Sequence, residues 1–470
     1  MGQWGNDVTE CAELAERLAA IVGTEHVRLD AASRLAYGTD ALKRGHSADV
    51  VVLPANTREI AEIARLCDDT RTPLTVRGGG TGYAGGSVPL LGGVVVGLER
   101  LNRILDIDEA NLLAVVEPNV ITGDLQDAVE RVGLFYPPDP QSLRSCAIGG
   151  NVAHCAGGPR AFKYGVTKQY VLGLEAVLPT GEIIRTGGKT VKNVVGYDVT
   201  QLLVGSEGTL AIITQIILRL VPKPPVQATL RATFPSVQHA VDAVIGLIRA
   251  RVVPAALELI DGDCLDAVAR FLNVRSLAPE GTAALLLIEV DGLPPLVAEE
   301  SERVERACRA AGATELLRAH DAAERGELWR VRRELSPSLK MITPLKFNHD
   351  VVVPKGRVPE LFALVADLKS RFNLRIPCFG HVGDGNIHVN IMVSPEDAPE
   401  IARAHEAEGE LFRGVVALEG AISGEHGIGF TKQPYIGLEL SIEEIALMKR
   451  LKAAFDPRGI LNPGKIFPPD

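Results

Sequence analysis

The sequence predicts an α+β protein with two domains and a C-terminal segment that packs back on the first of them. Strand-like and helix-like patterns alternate as far as Val221, and three prolines follow within residues 222–225. Prolines so close together continue neither a helix nor a central strand, and a second alternating series begins beyond them. A chain of 470 residues can bury more than one core. We therefore expect domains at residues 1–225 and 226–420 and a returning segment at 421–470.

The spacing of apolar residues along the sequence predicts the helices and strands of the first domain. Apolar residues at helical spacing predict helices at residues 8–20 and 57–69. Short β-branched runs predict strands at residues 50–53 and 74–76. The second of these strands leads directly into a segment, 77–87, in which six of eleven residues are glycine.

The second domain continues the alternation of strand-like and helix-like patterns. These patterns lie at residues 228–234, 237–250, 255–259, 264–272 and 283–290. They predict a second sheet with helices on one face. A charged helix is expected at about 322–335, ended by Pro337, and a last helix at 442–455, ended by Asp456 and Pro457.

Composition and charge exclude some partners. The net charge is −10 at pH 7, and no run of Lys and Arg is interleaved with aromatic residues, so we expect no nucleic-acid partner. The seven cysteines are scattered and never form C-x-x-C, which indicates the reducing cytoplasm and no iron–sulfur cluster bound by this chain. The most apolar stretch, 210–221, contains Gln215 and Arg219 and is too short to span a bilayer. We expect no transmembrane segment, and a contact with a membrane would be peripheral.

The glycine-rich segment at 77–87 follows a strand, where glycines let backbone N–H groups approach a phosphate closely. It matches neither the Rossmann nor the Walker pattern, and a flexible surface loop is the alternative. Two further glycine-rich stretches occur, one at 145–151 with 156–158 and one at 205–209. Three such turns in one domain favour a long ligand, a dinucleotide with two phosphates and a flat ring system.

Two short segments supply the residue types of a catalytic metal site. They read H-V-G-D-G-N-I-H at 381–388 and G-E-H-G at 424–427. An extended strand would hold His381 and His388 about 23 Å apart, but the Gly-Asp-Gly between them is turn chemistry that could bring both rings to one point. With Glu425 they form three ligands and leave a coordination position open, which suits zinc, manganese or iron. For any single histidine the alternative is a buried core imidazole.

Other residues are candidates for binding a substrate or taking its proton. A divalent cation lowers the pKa of a hydroxyl that it binds, and His426 could accept that proton. Asn390 lies two residues after His388, so both share a strand face, although Asn390 could also be an edge polar residue. Arg332 and Ser336 are four apart on the charged helix. The guanidinium could bind a carboxylate through two parallel hydrogen bonds, or the arginines there could form a solvated face.

The glycine loops also carry a resemblance to a known superfamily. The segments concerned read R-G-G-G-T-G-Y-A-G-G-S, P-P-D-P, I-G-G-N-V-A-H-C-A-G-G and G-S-E-G-T-L-A-I-I-T. Together they resemble the FAD domain of the vanillyl-alcohol-oxidase/PCMH flavoproteins. With the two histidine segments, residues from about 49 to 466 resemble the FAD-linked D-2-hydroxyacid dehydrogenases, which include glycolate oxidase catalytic subunits, D-lactate dehydrogenases and D-2-hydroxyglutarate dehydrogenases. The resemblance implies a PCMH-type two-part FAD-binding domain and an α+β cap domain with an antiparallel sheet.

The resemblance also implies which residues bind FAD. The pyrophosphate would be held by Gly78, Gly79, Gly80, Thr81, Gly82, Gly86 and Ser87. The path of FAD would be lined by Pro138, Asp139, Ser145, Gly149, Gly150, Asn151 and Gly157, with Glu207 and Ile213 nearer the adenine and Asn462 in a segment that returns to the flavin. Asn462 could also be a plain turn residue. Some relatives carry a flavin-linked histidine where this chain has Thr81, so FAD is expected to be noncovalent.

The resemblance implies oxidation of a D-2-hydroxyacid to the 2-oxoacid by hydride transfer to flavin N5. It also implies that His426 is the base and that Arg332 binds the substrate carboxylate. Hydroxyglutarate relatives have a lysine two residues before the aspartate that matches Asp350. This chain has Asn348 there, with Lys346 two further back. That difference favours glycolate or D-lactate over D-2-hydroxyglutarate.

The sequence does not identify the electron acceptor or the assembly. A quinone, a cytochrome and an iron–sulfur partner subunit remain open, as do a homodimer and a hetero-complex. The alternatives to the proposed enzyme are a noncatalytic flavin-binding subunit of an oxidoreductase complex and a metal-free flavin oxidase for alcohols or sugars.

Overall fold

The computed structural model describes residues 8–469, which form two compact units. Unit 1 contains the described residues up to 156, together with 166–223 and 425–469. Unit 2 contains residues 157–165 and 224–424. One division between the units therefore falls at Lys223 and Pro224, inside the proline-rich segment.

The helices and strands follow in chain order. Residues 8–156 form α1 (Val8–Val22), β1 (Val27–Arg28), α2 (Ala31–Tyr37), β2 (Val50–Val52), α3 (Thr57–Thr70), β3 (Leu74–Arg77), β4 (Val94–Gly97), β5 (Ile104–Asp108), β6 (Leu113–Val116), α4 (Thr122–Glu130), β7 (Leu134–Phe135) and α5 (Ile148–His154). Residues 157–223 form α6 (Ala161–Tyr164), β8 (Val171–Val177), β9 (Ile183–Gly187), α7 (Val199–Leu203), β10 (Ile212–Arg219) and β11 (Val221–Pro222). Residues 224–424 form β12 (Val226–Phe234), α8 (Val237–Arg249), β13 (Ala256–Asp261), α9 (Gly262–Phe271), β14 (Ala284–Gly292), α10 (Pro294–Ala310), β15 (Glu315–Arg318), α11 (Ala322–Arg333), α12 (Leu335–Ser338), β16 (Leu345–Val352), α13 (Val358–Phe372), β17 (Cys378–His381), β18 (Asn386–Val393) and α14 (Ala398–Ala417). Residues 425–469 form α15 (Ile436–Glu439) and α16 (Ile442–Phe455).

Unit 1 is built on two main sheets. In the first, of order β1-β2-β4-β3, the last three strands are parallel. Strands β2 and β4 are runs of buried valine, as expected for a sheet covered by helices, and α1 and α3 contribute Leu18 and Ile60 to its core. The second sheet is antiparallel, of order β5-β6-β10-β8-β9. Strands β7 and β11 form a separate antiparallel pair.

The C-terminal segment packs on the first sheet, as predicted. Leu461 bridges to Leu74 at the start of β3 and is fully buried. Backbone N–H groups of Leu74 and Asn462 donate to the carbonyls of Ile460 and Leu74. Residues near position 460 thus extend a sheet formed by the first hundred residues.

Unit 2 contains a seven-stranded antiparallel sheet of order β15-β12-β14-β13-β17-β18-β16. Helices cover both faces, so the prediction of helices on one face is wrong. On one face, Leu335 after α11 packs with Phe379 and Ile260. On the other, Phe412 of α14 lies edge-on to His349. Both faces of the central strands are apolar over most of their length, and each face needs its own cover.

Two local features of unit 2 bear on the site. The turn expected at Gly383-Asp384-Gly385 is present, and it joins β17 to β18 as an antiparallel hairpin. The charged helix, predicted at about 322–335 and stopped by Pro337, ends two residues earlier, at Arg333. Pro337 instead lies in the first turn of the short helix α12, where a backbone N–H is not needed.

None of the helices between residues 8 and 469 combines the length and the apolar character that a membrane crossing needs.

Candidate functional site

The glycine-rich segments of unit 1 come together in space. A Cβ atom on Gly79 would lie 2.4 Å from the carbonyl oxygen of Ser145, and one on Gly78 would lie 3.3 Å from Cβ of Ala147. Only glycine therefore lets the first segment lie so close to the second. A Cβ on Gly150, in contrast, would meet no heavy atom within 4 Å. The backbone beside Gly150 is open to a ligand, which fits a bound dinucleotide.

Asn462 joins the first glycine segment to the third. Its side-chain amide donates to the carbonyl oxygens of Gly86, at 2.7 Å, and Glu207, at 2.8 Å. Lys465 donates to the carbonyl of Val88 and to Oδ1 of Asn462. Burial lowers the pKa of Lys465 to about 8, although Glu207 and Asp40 oppose this shift. The C-terminal segment thus places a buried amide and a buried cation at the glycine loops.

The other residues predicted to bind FAD lie in these loops or beside them. Gly80, Thr81, Gly82 and Ser87 belong to the first loop, Gly149 and Asn151 to α5, and Ile213 to β10. Asn151 donates to Oγ1 of Thr122 at 2.7 Å. The carbonyl of Pro138, next to Asp139, accepts from Gln126 at 2.9 Å. Gly157 opens the short stretch of chain that belongs to unit 2.

Glu207 binds the segment that follows His426. Its Oε1 accepts from the backbone N–H of Ile428 at 2.7 Å, and its Oε2 accepts from that of Gly429 at 2.8 Å. Sequence reasoning placed Glu207 near the adenine and gave no hint of this pairing. Within the same segment, Nε2 of His426 lies 3.7 Å from Oε1 of Glu425, and the imidazole is 5.4 Å from the Tyr83 ring.

The hairpin of β17 and β18 brings His381 and His388 together, with ring centroids 5.4 Å apart. Glu425 directly follows Gly424, whose backbone N–H donates to the carbonyl oxygen and to Oδ2 of Asp350. One ligand atom from each of His381, His388 and Glu425 lies within 4.8 Å of the other two. Two imidazoles and one carboxylate at this spacing fit a divalent cation.

A buried carboxylate that sequence reasoning missed lies beside this group. Glu258 of β13 is fully buried; its Oε1 accepts from Nδ1 of His381 at 2.5 Å and its Oε2 from Nε of Arg332. Burial alone would raise the pKa of Glu258, but the electrostatic interactions and hydrogen bonds with His381 and Arg332 outweigh burial and lower it to about 2. A glutamate within the apolar strand 255–260 was the available signal, because a charge is rarely buried without a partner.

Arg332 is 3% exposed, which excludes a solvated face for this arginine. Its guanidinium lies over the Phe379 ring, 4.9 Å from the centroid. Ser336 does not share its helix, because α11 ends at Arg333. Ser336 instead accepts a hydrogen bond from Nζ of Lys346 at 3.2 Å.

Lys346 and Asn390 lie on neighbouring strands, β16 and β18, whose register pairs Asn348 with Asn390 and Asp350 with His388. Burial, with a smaller contribution from Lys340, lowers the pKa of Lys346 to about 8. Asn390 is fully buried and donates to the carbonyls of Pro377 and His388. Its Oδ1 has no hydrogen-bond partner, so it is an acceptor that a ligand could engage.

Two family models match the chain. One, described as the FAD binding domain, matches residues 48–187. The other, described as the C-terminal domain of FAD linked oxidases, matches residues 223–466. Between them they include the first two glycine segments and the two histidine segments, and the third glycine segment, 205–209, lies between the two matches.

Curated relatives match over nearly the whole length. The chain is 42% identical to glycolate oxidase subunit GlcD of Bacillus subtilis, over 97% of this chain and 97% of the relative. It is 36% identical to a probable mitochondrial D-lactate dehydrogenase of Danio rerio, over 95% and 90% of the two chains. It is 35% identical to a D-lactate dehydrogenase of Anaerostipes hadrus, over 89% of each.

Solved structures share the fold at low identity. p-Cresol methylhydroxylase superposes with a TM-score of 0.81 at 17% identity, over 98% of both chains. 4-Ethylphenol oxidase of Gulosibacter chungangensis gives 0.79 at 20% identity, over 100% of this chain and 99% of the other. The fold is therefore of the PCMH type. The chain is an FAD-dependent oxidoreductase and belongs to the family of FAD-linked oxidases that contains glycolate oxidase subunit GlcD and D-lactate dehydrogenase.

Proposed function

We propose that the protein oxidises a small D-2-hydroxyacid, glycolate or D-lactate, to the 2-oxoacid. The observation that carries this proposal is the grouping of His381, His388 and Glu425 within 4.8 Å in an FAD-linked oxidase. The relatives named for glycolate and D-lactate, at 35–42% identity, support the substrate class. In this proposal residues 1–225 and 421–470 form the FAD-binding part of the protein, and residues 226–420 form the substrate-binding part.

FAD would be held noncovalently by the glycine loops, and a divalent cation, zinc, manganese or iron, by His381, His388 and Glu425. When bound, FAD supplies the acceptor for the substrate's α-hydrogen as hydride, and the cation lowers the pKa of the substrate hydroxyl. Thr81 offers no histidine for a covalent link to the flavin.

The substrate carboxylate would be bound by Arg332 and Lys346. Glu258 engages Arg332 through Nε, and the η nitrogens of the planar guanidinium have the spacing for two parallel bonds to a carboxylate. Lys346, which is hydrogen-bonded to Ser336, adds a second cation below pH 8. Asn390 would accept a hydrogen bond from the substrate through Oδ1.

His426 would take the hydroxyl proton. It follows Glu425 directly, and its Nε2 lies 3.7 Å from that carboxylate, so a cation ligand and a base stand next to each other. The Tyr83 ring and the bonds from Glu207 to the following backbone restrict where the imidazole can lie. A general base placed in this way contributes about 10²- to 10⁴-fold to a rate.

The neutral side chain of Asn348 favours a monocarboxylate. A second carboxylate would be stabilised by a cation at this position of β16, and the amide supplies none. The next cation on that strand face is Lys346.

Anaerobic mixing of the holoprotein with D- and L-2-hydroxyacids tests the activity. We expect glycolate and D-lactate to bleach the flavin, D-2-hydroxyglutarate to do so more slowly, and L-lactate not at all. No bleaching by any D-2-hydroxyacid would contradict the proposal. An enzyme that stays fully active without metal would contradict its metal-assisted form.

We also propose that a partner takes electrons from the reduced flavin. A relative at 42% identity is named as a subunit, which supports a hetero-complex. The acceptor we propose is an iron–sulfur subunit, and a quinone and a cytochrome are the other acceptor classes. Purification from the native source under mild conditions, followed by iron analysis of co-eluting chains, tests this idea. A homogeneous protein that reduces quinone directly would contradict it.

A further inference from the structure

The buried carboxylate of Glu258 accepts hydrogen bonds from two residues that have different proposed functions. Oε1 accepts from His381, a proposed metal ligand, and Oε2 from Arg332, the proposed carboxylate-binding residue. Strand β13, which carries Glu258, lies directly beside β17, with Leu259 opposite Gly380. The same register continued by one residue places Glu258 opposite His381.

We propose that Glu258 is a positioning residue that fixes His381 and Arg332 relative to each other; this inference rests on the function proposed above. A carboxylate that accepts from Nδ1 holds the proton on that nitrogen and leaves the imidazole lone pair at Nε2. The ring of His381 can then neither rotate nor change tautomer without losing this hydrogen bond. The nitrogen that faces a cation is thereby determined before the cation arrives.

The same carboxylate sets the plane of the Arg332 guanidinium. One face of that group lies over the Phe379 ring, and the Phe379 ring is in turn 5.0 Å from the His388 ring. With the 5.4 Å contact between His388 and His381, the five side chains form a closed circuit of contacts. A displacement of Glu258 therefore moves the metal ligands and the guanidinium together.

Stability alone gives no reason for a carboxylate at this position. The neighbours of Glu258 on this face include Ile260, Leu285 and Leu287, which are apolar and buried. Replacing a buried ion pair by apolar residues of similar volume is often neutral or stabilising. A glutamate that binds two polar side chains in such surroundings is better explained by the orientation it imposes on them.

Metal binding by the FAD-loaded full-length protein tests this inference without a measurement of turnover. The pair to compare is Arg332→Met alone and Arg332→Met combined with Glu258→Met, because the double variant removes both charges and avoids a buried unpaired arginine. Each protein is stripped with a chelator and titrated with Zn²⁺, and circular dichroism and flavin absorbance monitor the fold. Glu289→Gln is the matched control, since Glu289 is a buried glutamate on the neighbouring strand whose partners are Thr229 and Trp329.

We expect Arg332→Met and Glu289→Gln to bind zinc as the wild type does, and the double variant to bind it about 10- to 100-fold more weakly, the usual loss when the hydrogen-bond partner of a metal ligand is removed. Equal zinc affinity in Arg332→Met and the double variant would overturn the role of Glu258 and leave the proposed function intact. A wild-type protein that binds no zinc, manganese or iron would overturn both. Zinc binding weakened equally in Glu289→Gln and the double variant would show a general effect of removing a buried glutamate and would also overturn the inference.

Discussion

Glu207 and Ile428 are 221 residues apart in the sequence and are joined by a 2.7 Å hydrogen bond between the carboxylate and a backbone N–H. The bond ties the third glycine loop to the segment that carries Glu425 and His426. A loop proposed to bind the flavin is therefore joined by one side chain to the segment that carries the proposed base.

Glu207→Gln should disturb this segment without unfolding unit 1. An amide has one acceptor oxygen, so one of the N–H groups of Ile428 and Gly429 would lose its partner, at a cost of about 1–3 kcal/mol. We expect slower flavin reduction and a lower free energy of unfolding, measured by stopped-flow absorbance and urea denaturation. Glu117→Gln, another buried glutamate of unit 1, which pairs with Arg103, is the control. An equal loss of flavin reduction in both variants would contradict a specific effect of Glu207.

His426→Ala should remove flavin reduction and leave the protein yellow. The loss of a general base lowers the rate by about 10²- to 10⁴-fold, while the glycine loops proposed to hold FAD are unchanged. Single-turnover reduction by D-lactate measures the effect, with the exposed His46 replaced by Ala as the control. Reduction of the His426 variant at the wild-type rate would show that another group takes the proton.

His388→Ala should bind metal more weakly than His349→Gln. Both histidines lie near the centre of the β16–β18 pair, but His349 faces α14 and contacts Phe412, whereas His388 faces His381. Metal content after dialysis, measured by elemental analysis, should fall only in His388→Ala. Chelation should inactivate the wild type, and added zinc or manganese should restore it. Full metal content in His388→Ala would exclude the proposed ligand set.

Substrate affinity should decrease above pH 8 through Lys346. Burial lowers the pKa of this lysine to about 8, so its ammonium form, which attracts the substrate carboxylate, predominates below pH 8 and is lost as the pH rises through that value. KM for D-lactate should therefore increase above pH 8, by up to tenfold per unit if binding requires the ammonium. In Lys346→Met, KM at neutral pH should be higher than in the wild type. It should not rise further as the pH increases above 8. A KM that rises equally in the variant would assign the pH dependence to another group.

Asn348→Lys should shift the substrate preference toward D-2-hydroxyglutarate. A charged hydrogen bond to the second carboxylate contributes about 1.5–3 kcal/mol, or about 10- to 100-fold in kcat/KM. The ratio of kcat/KM for D-2-hydroxyglutarate to that for D-lactate measures the change, and Asn348→Ala controls for loss of the amide. An unchanged ratio in Asn348→Lys would show that the distal end of the substrate lies elsewhere.

Local chemistry by itself determined much of this protein. The Gly-Asp-Gly turn between His381 and His388 was predicted from turn residues, and the hairpin is present with the two rings edge to face, 5.4 Å apart. The last helix was predicted at 442–455 and occupies those residues. The glycine segments were identified from composition and resemblance, because a backbone that packs closely requires glycine whatever surrounds it.

Only the tertiary structure decided which distant residues meet these segments. Glu258 and His381 are 123 residues apart in the sequence and form a hydrogen bond because β13 and β17 are neighbours in the sheet. The spacing of apolar residues does not specify the order of strands in a sheet. The apolar patterns likewise could not show that helices cover both faces of the sheet, because strands buried on both sides lose the alternation that would mark one face. Glu207, Asp350 and Asn462 bind backbone groups far along the chain. Backbone atoms are the same at every residue, so a sequence alone does not identify these partners.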